Sequence, residues 1–290
     1  VSHASEPETG EAAPDRATLE RRLLRRMSRL NREFVLIEPG DRIMVAISGG
    51  KDSWAMLHLL RAYARVVPFA YELIAVNLDQ GHPGFPVETL RAHLDAEGFA
   101  HHLVHVDTYS VVKQHTPAGK AYCSLCSRLR RGILYDVAQE LGCTKIALGH
   151  HRDDVIETLL LNLFHAGQLK AMPAKLRSDD GRNTIIRPLA SCAEAELARY
   201  AELSGFPVVP CDLCGSQPNL ERKKVKQLLA TLDNDNPLLR SHMLAAIGNV
   251  KPSHLWDHAL LAGAAAQGPD PYLDADAHAA PLVPLSLARR

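Results

Sequence analysis

The sequence has no net charge: 33 Lys and Arg stand against 33 Asp and Glu in 290 residues. Bulk electrostatics therefore point to no polyanionic partner, and any nucleic-acid contact must rest on where charge is clustered. No apolar run approaches the roughly 20 residues that a membrane-spanning helix needs. The opening residues, Val1 to Glu11, are polar and acidic and lack the basic-then-apolar order of a signal peptide. The expectation is a cytoplasmic chain, and its first residue, Val1, leaves the true start open. Cysteine is scarce too, at six residues: Cys123, Cys126, Cys143, Cys192, Cys211 and Cys214. Four of them form two C-x-x-C pairs. Without a secretory leader such pairs indicate metal or redox chemistry rather than a disulfide framework. No internal repeat is present.

What is there is 46% hydrophobic, enough for one substantial α/β domain with smaller additions. Residues 1–15 read as a disordered N-terminus. Leu19, Leu23, Met27, Leu30 and Phe34 then recur at steps of four, four, three and four, predicting an amphipathic helix within 16–40. From Asp15 to Phe34 seven Arg face three acids, a local balance of 7 − 3 = +4. That basic face is either a solvated helix surface or a contact for a phosphate backbone. From Asp41 onward strand and helix alternate: a strand at Ile43–Ile47, a helix at Trp54–Val66, and a strand at Leu73–Leu78 ending on Asp79. A helix at about Val87–Glu97, a strand at His102–Val106 and a helix at about Cys123–Leu141 follow. Lys145–Leu148 is a further strand, with a helix from near Asp153. Residues 166–183 read as a polar loop, Thr184–Arg187 as a strand and Glu194–Ser204 as a helix. The pattern predicts an α/β domain over 41–210, a mostly parallel sheet with helices on both faces and helical additions at each end. Residues 211–258 hold the second cysteine pair and two helices, Glu221–Leu232 and Leu238–Ile247, and 259–290 read as a disordered tail.

Ligands of such sheets bind beyond the carboxyl ends of the strands, where the polar motifs fall. Ser48-Gly49-Gly50-Lys51-Asp52-Ser53 lies between a strand and a helix. Two glycines let backbone N–H groups approach an oxyanion, and the helix adds unpaired N–H groups and its positive dipole end. Ser48 and Ser53 offer hydroxyls and Lys51 a charge. Asp52 repels phosphate unless a divalent cation lies between them, which implies Mg²⁺. The Walker pattern G-x-x-x-x-G-K-[ST] is absent. Asp79 closes a neighbouring strand. Gly149-His150-His151-Arg152-Asp153-Asp154 closes a later one and opens a helix. For that motif the readings are active-site hydrogen bonding with Mg²⁺ or adenylate contacts, a metal site, or a helix cap by Asp153.

Cys123-Ser-Leu-Cys126 sits at a predicted helix start, where the dipole lowers thiol pKa values, and is followed by Arg128, Arg130 and Arg131. Cys211-Asp-Leu-Cys214 lies in a loop, followed by a second basic cluster, Arg222, Lys223, Lys224 and Lys226. Taken alone, the two pairs are a strong metal signal with structural zinc as one solution. A separation of 211 − 123 = 88 residues and the adjacent phosphate loop argue for a functional centre instead. Cys143 and Cys192 read as ordinary small residues.

The motif S-G-G-x-D-S resembles the PP-loop of ATP pyrophosphatases, an adenine nucleotide alpha-hydrolase-like fold. These enzymes release pyrophosphate and leave AMP on the substrate. Together with G-H-H-R-D-D, C-S-L-C-S-R-L-R-R-G-I-L-Y and P-C-D-L-C-G-S-Q-P-N-L, the set is similar to the tRNA 2-thiocytidine synthetases (the TtcA family) over residues of about 20–258. That resemblance implies ATP- and Mg²⁺-dependent thiolation of the cytidine at tRNA position 32 through an adenylated intermediate. It implies a homodimer, and a cysteine desulfurase as sulfur donor. It also implies a [4Fe–4S] cluster on three cysteines, here Cys123, Cys126 and Cys214 in preference to Cys211, with an open iron carrying sulfur. It places the nucleotide on Ser48 to Ser53, Asp79, Gly149, His150 and Asp153, Mg²⁺ on Asp52, and catalysis on Lys51, Asp52 and the three cysteines. An older mechanism gives two cysteines a persulfide and a resolving role. The rival functions are lysidine or 2-thiouridine formation, amidation of a small metabolite by the same loop, and a zinc-stabilised RNA-binding protein.

Overall fold

The computed structural model describes residues 14–115, 123–209 and 220–266. The chain divides into two compact units, Val1–Leu244 and Ala245–Arg290. In the first, helix α1 (Arg16–Phe34) buries Leu19, Leu23, Met27 and Leu30 of the expected stripe, while Phe34, its fifth member in the last turn, is exposed. Asp15 caps it by accepting from Thr18 N at 2.7 Å. Its last turn closes through Val35, whose left-handed backbone (φ 48°) lets its N–H reach Asn31 O.

Strand β1 (Arg42–Ala46) leads to α2 (Lys51–Tyr63), β2 (Glu72–Asp79), α3 (Val87–Ala96), β3 (His101–His105) and α4 (Thr108–His115). Then come α5 (Cys123–Glu140), β4 (Lys145–Ala147), α6 (Arg152–Leu161), β5 (Lys175–Arg177) and β6 (Thr184–Ile186). Helices α7 (Glu194–Ser204), α8 (Leu220–Asp235) and α9 (Leu239–Ile247) follow. The strands form one sheet in the order β3-β2-β1-β4-β6-β5, parallel except for β5, which pairs antiparallel with β6 at an edge. The order reverses direction between β1 and β4, where side chains on the strand ends frame a crevice. On one side of the sheet Met44, Ile74, Val76 and Ile146 pack with Leu134, Val137 and Ala138 of α5. A separate apolar contact, Ile156 and Leu160 against Val225 and Leu229, seats α8 on α6. No helix among the described residues is long and apolar enough to cross a membrane.

The structure departs from the sequence reading in four places. Helix α2 starts at Lys51 rather than Trp54, so Lys51, Asp52 and Ser53 form its first turn. Helix α4 escaped detection because eight residues are too few to show a period. Strand β5 lies inside the stretch read as loop: with two of its three residues basic, it has no apolar alternation, and its pairing with β6 defines it. In the second unit, the segment read as a disordered tail begins with helix α10 (His258–Ala266), capped by Asp257, which accepts from Ala259 N and Leu260 N. Its sequence is almost entirely Ala and Leu, strong helix formers that leave no polar face to mark a period. The remaining tail, 267–290, lies outside the described residues, as do 1–13.

In α2 the buried His58 imidazole, beside the half-buried His93, couples the fold to pH. His58 is packed against the rings of Phe99 and Phe206. Arg61, which can only donate, bonds His58 Nδ1, so His58 Nε2 must carry the proton and donate to His93 Nε2 at 3.3 Å. Burial, reinforced by Arg61, pushes His58 down to about 4 from 6.5. The unfolded chain therefore binds this proton first as pH falls. Stability is complete above the unfolded value and is lost between about pH 6.5 and 4, by roughly 3 kcal/mol at most. Urea unfolding at pH 7 and 4.5 should show that loss, and His58→Gln should flatten it.

Candidate active site

The phosphate loop begins where β1 ends. Gly49 takes φ +84°, and a Cβ there would stand 2.7 Å from Val209 Cγ2. Gly50 is the N-cap of α2 with extended backbone and provides no side-chain cap, leaving the helix's first N–H groups facing outward. Ser53 Oγ donates to Gly50 O at 2.8 Å and accepts from Ser48 N at 3.3 Å, which fixes the turn from inside. On one side Val209 N donates to Gly49 O at 2.9 Å. On the other, a Cβ on Gly149 would lie 3.3 Å from the Asp52 backbone.

The loop opens on a cavity of about 470 Å³ bordered by Ser48, Gly50, Asp52, Gln80, Cys126, Arg130, His150 and Asp154. Three buried polar atoms of its lining residues, Asp52 Oδ1, His82 Nδ1 and His150 Nδ1, have no hydrogen-bond partner among the described residues. Buried polar atoms are nearly always satisfied, and these three belong to side chains that border the cavity. Burial, with Arg187 next, lowers His150 to about 4, so its imidazole is neutral at pH 7.

Beneath the loop, charges alternate in sign. Lys51 Nζ lies 3.0 Å from Asp52 and 3.2 Å from Glu194. Glu194 reaches Lys226 at 3.3 Å, Lys226 reaches Glu157 at 3.6 Å, and Arg222 lies 3.7 Å from Glu157 and 3.3 Å from Asp154. His151 Nε2 stands among them, 3.4 Å from Asp154 and 4.0 Å from Asp52. Burial opposes the Lys51 charge, but the hydrogen bond to Asp52 and the nearby Glu194 outweigh it and raise the pKa. Glu194 is lowered: burial works against its charge, and Lys51 and Lys226 overcome it. Glu157 is fully buried, and burial raises it despite Lys226 and Arg222. A second hollow of about 540 Å³, bordered by Lys51, Asp153, Glu194, Asp233 and Arg240, is spanned by ion pairs among its own walls.

The predicted site residues thus separate. Ser48, Gly50, Asp52, Ser53, Cys126, Gly149 and His150 line the first cavity together. Lys51 does not; its ammonium is held by Asp52 and Glu194. Asp79 is engaged elsewhere, accepting from Gly81 N at 2.9 Å and pairing with His105. Asp153 caps α7 by accepting from Glu194 N at 2.8 Å and binds Arg240 at 2.6 Å. The carboxylate facing the cavity is the next one, Asp154, because one helical step of about 100° turns Asp153 toward α7. His151, not Asp153, caps α6 in a capping box with Asp154. Cys123 opens α5, but its side chain lies outside the described residues, as do Cys211 and Cys214. Of the second basic cluster, Arg222 and Lys226 pair with the carboxylates, Lys226 while still exposed, and Lys223 and Lys224 are exposed as well. Cys143 and Cys192 are buried, and burial pushes Cys192 up to about 12. The sequence reading missed Gln80 and Glu194. Gln80 directly follows a strand end, a signal that was available.

Among the described residues no group of three or more His, Cys, Asp or Glu could hold a metal ion. Asp52 and Asp154 both border the cavity, which suits Mg²⁺ bound by one or two carboxylates and phosphate oxygens. The Cys126 thiol, one turn after Cys123, faces the same cavity, which suits a soft metal centre.

A family profile described as "PP-loop domain" matches residues 19–231. A tRNA-cytidine(32) 2-sulfurtransferase of Anaeromyxobacter sp. (strain Fw109-5) is 55% identical over 90% of this chain and 86% of its own. One from Sorangium cellulosum is 60% identical over 83% and 86%, and one from Tolumonas auensis 56% over 83% and 80%. In architecture the chain is similar to the U34-tRNA thiolase NcsA from Methanococcus maripaludis, a structure described with its [4Fe–4S] cluster. The TM-score is 0.65 and the identity 22%, over 81% of this chain and 79% of that one, a likeness of fold.

Gly49→Ala should cost about 2 kcal/mol or more in stability, from left-handed strain and the contact with Val209 together. Gly49→Ala with Val209→Ala should recover only part of it. Thermal unfolding of the three proteins separates the two causes.

Proposed function

The chain belongs to the tRNA-cytidine(32) 2-sulfurtransferases of the PP-loop family, and from that membership we propose an ATP-dependent tRNA thiolation that makes 2-thiocytidine at position 32. The observation that carries the proposal is the shared cavity, which the phosphate loop, His150, Asp154 and Cys126 border together.

ATP binds with its phosphates on Ser48 to Ser53, where the N-terminal N–H groups of α2 and the serine hydroxyls meet oxyanion charge. Asp52 and Asp154 would hold Mg²⁺ against those phosphates, offsetting the repulsion their carboxylates exert. The cytidine O2 attacks the α-phosphorus and pyrophosphate leaves. Sulfide sulfur then attacks C2, the C2–O bond breaks, and AMP departs with the oxygen. Neutral His150 offers Nδ1 to the base or the adenylate without adding charge. Arg130, at the cavity edge, meets phosphate of the incoming RNA. The target base must leave its stack to enter, so an extruded loop nucleotide is the substrate form. The chain mainly positions reactants and stabilises charge.

Cys123, Cys126 and Cys214 would hold a [4Fe–4S] cluster, which when bound supplies a soft Lewis-acid site for sulfur beside the activated carbon. Val209, pinned to Gly49, stands two positions ahead of Cys211 in the sequence; the second cysteine pair itself lies outside the described residues. The resemblance supports a homodimer in the cytoplasm and a cysteine desulfurase as sulfur donor.

Anaerobic incubation with tRNA, ATP, Mg²⁺ and sulfide, followed by nucleoside mass spectrometry, should yield 2-thiocytidine with AMP and pyrophosphate. Lys51→Ala, Asp52→Asn and Cys126→Ala should each lower the yield by about 10²-fold or more. Formation of 2-thiouridine or lysidine, or tRNA binding without ATP turnover, would overturn the proposal. One zinc and no iron per chain would remove the cluster.

A further inference from the structure

Gln80 follows the last residue of β2, and its amide oxygen is a meeting point. Cys126 Sγ donates to Gln80 Oε1 at 3.2 Å, and Thr108 Oγ1 donates to the same atom at 3.3 Å. The Gln80 main-chain carbonyl accepts from Tyr109 N at 3.0 Å. Main chain and side chain alike are thus anchored to α4, Thr108 is buried, and Gln80 and Cys126 line the same cavity.

This arrangement suits a thiol, which has one proton to give. A thiolate has none, and an amide oxygen at that distance would face it lone pair to lone pair. The two ends of a glutamine amide are nearly equal in size. A half-turn about the terminal bond therefore puts NH₂ where the oxygen stood. That NH₂ carries two hydrogens, one for Sγ and one for Thr108 Oγ1, which accepts as readily as it donates. Both contacts survive the exchange with their polarity inverted.

The geometry points to Gln80 as a positioning residue that hydrogen-bonds the Cys126 sulfur in both of its states, as acceptor to the thiol and as donor to the thiolate. The second half rests on the reading of Cys126 as a cluster ligand; the first does not. A donor to a cluster sulfur favours the reduced, more negative form, so removing it moves the reduction potential down.

Two variants test this: Gln80→Leu, which cannot hydrogen-bond, and Gln80→Glu, which keeps the shape but only accepts when ionised. In cluster-free reduced protein, the S–H stretching band of Cys126, identified by its loss in Cys126→Ser, should move to higher frequency in Gln80→Leu. In cluster-loaded protein with wild-type iron content, an anaerobic redox titration should place the midpoint of both variants below that of wild type. An unmoved S–H band overturns the proposal. A moved band with an unchanged midpoint keeps the thiol contact and overturns the exchange. Wild-type protein that binds no iron removes the cluster reading instead, and the S–H band then decides the role of Gln80 by itself.

Discussion

The phosphate loop is held by main-chain packing that leaves no room for side chains. Val209 touches it at Gly49 from one direction, and Gly149 meets the Asp52 backbone from another. A Cβ would clash at Gly49 and be tight at Gly149, and each contact joins the loop to a different part of the chain. Gly149 brings the carboxylate and imidazoles that open α6. Val209 brings the segment that follows α7. The crevice between β1 and β4 supplies the space, and these two contacts decide what faces into it.

Electrostatics follow from that packing. Helix α8, seated on α6 by Val225 and Leu229, places Arg222 and Lys226 beside Asp154, Glu157 and Glu194. A fully buried glutamate next to two cations is costly to desolvate, and pairing alone seldom makes such a group a source of stability. Its place one turn behind Asp154 indicates a different use: it keeps α8 in register with the nucleotide wall.

Much of this was legible in the sequence because it repeats or recurs as a unit. The α1 stripe, the strand–helix alternation and the six residues from Ser48 to Ser53 carry their meaning in spacing. What could not be read depends on phase and tertiary direction. Asp153 and Asp154 are adjacent and chemically identical, and only the helix rotation sends one to α7 and the other to the cavity. Arg222 and Lys226 share a run with Lys223 and Lys224, and their pairing with the carboxylates is set by where α6 lies. Gln80 belongs to no repeating pattern; its significance comes from Thr108 and Cys126, which the fold brings to it.

The seat of Lys51 between two carboxylates bears on the last stage of the proposed cycle. A lysine with no partner of its own would cling to the departing diphosphate, since letting go would strand a desolvated ammonium. Here Asp52 and Glu194 stand ready to receive it. In the proposed cycle, product egress then leaves no bare charge behind.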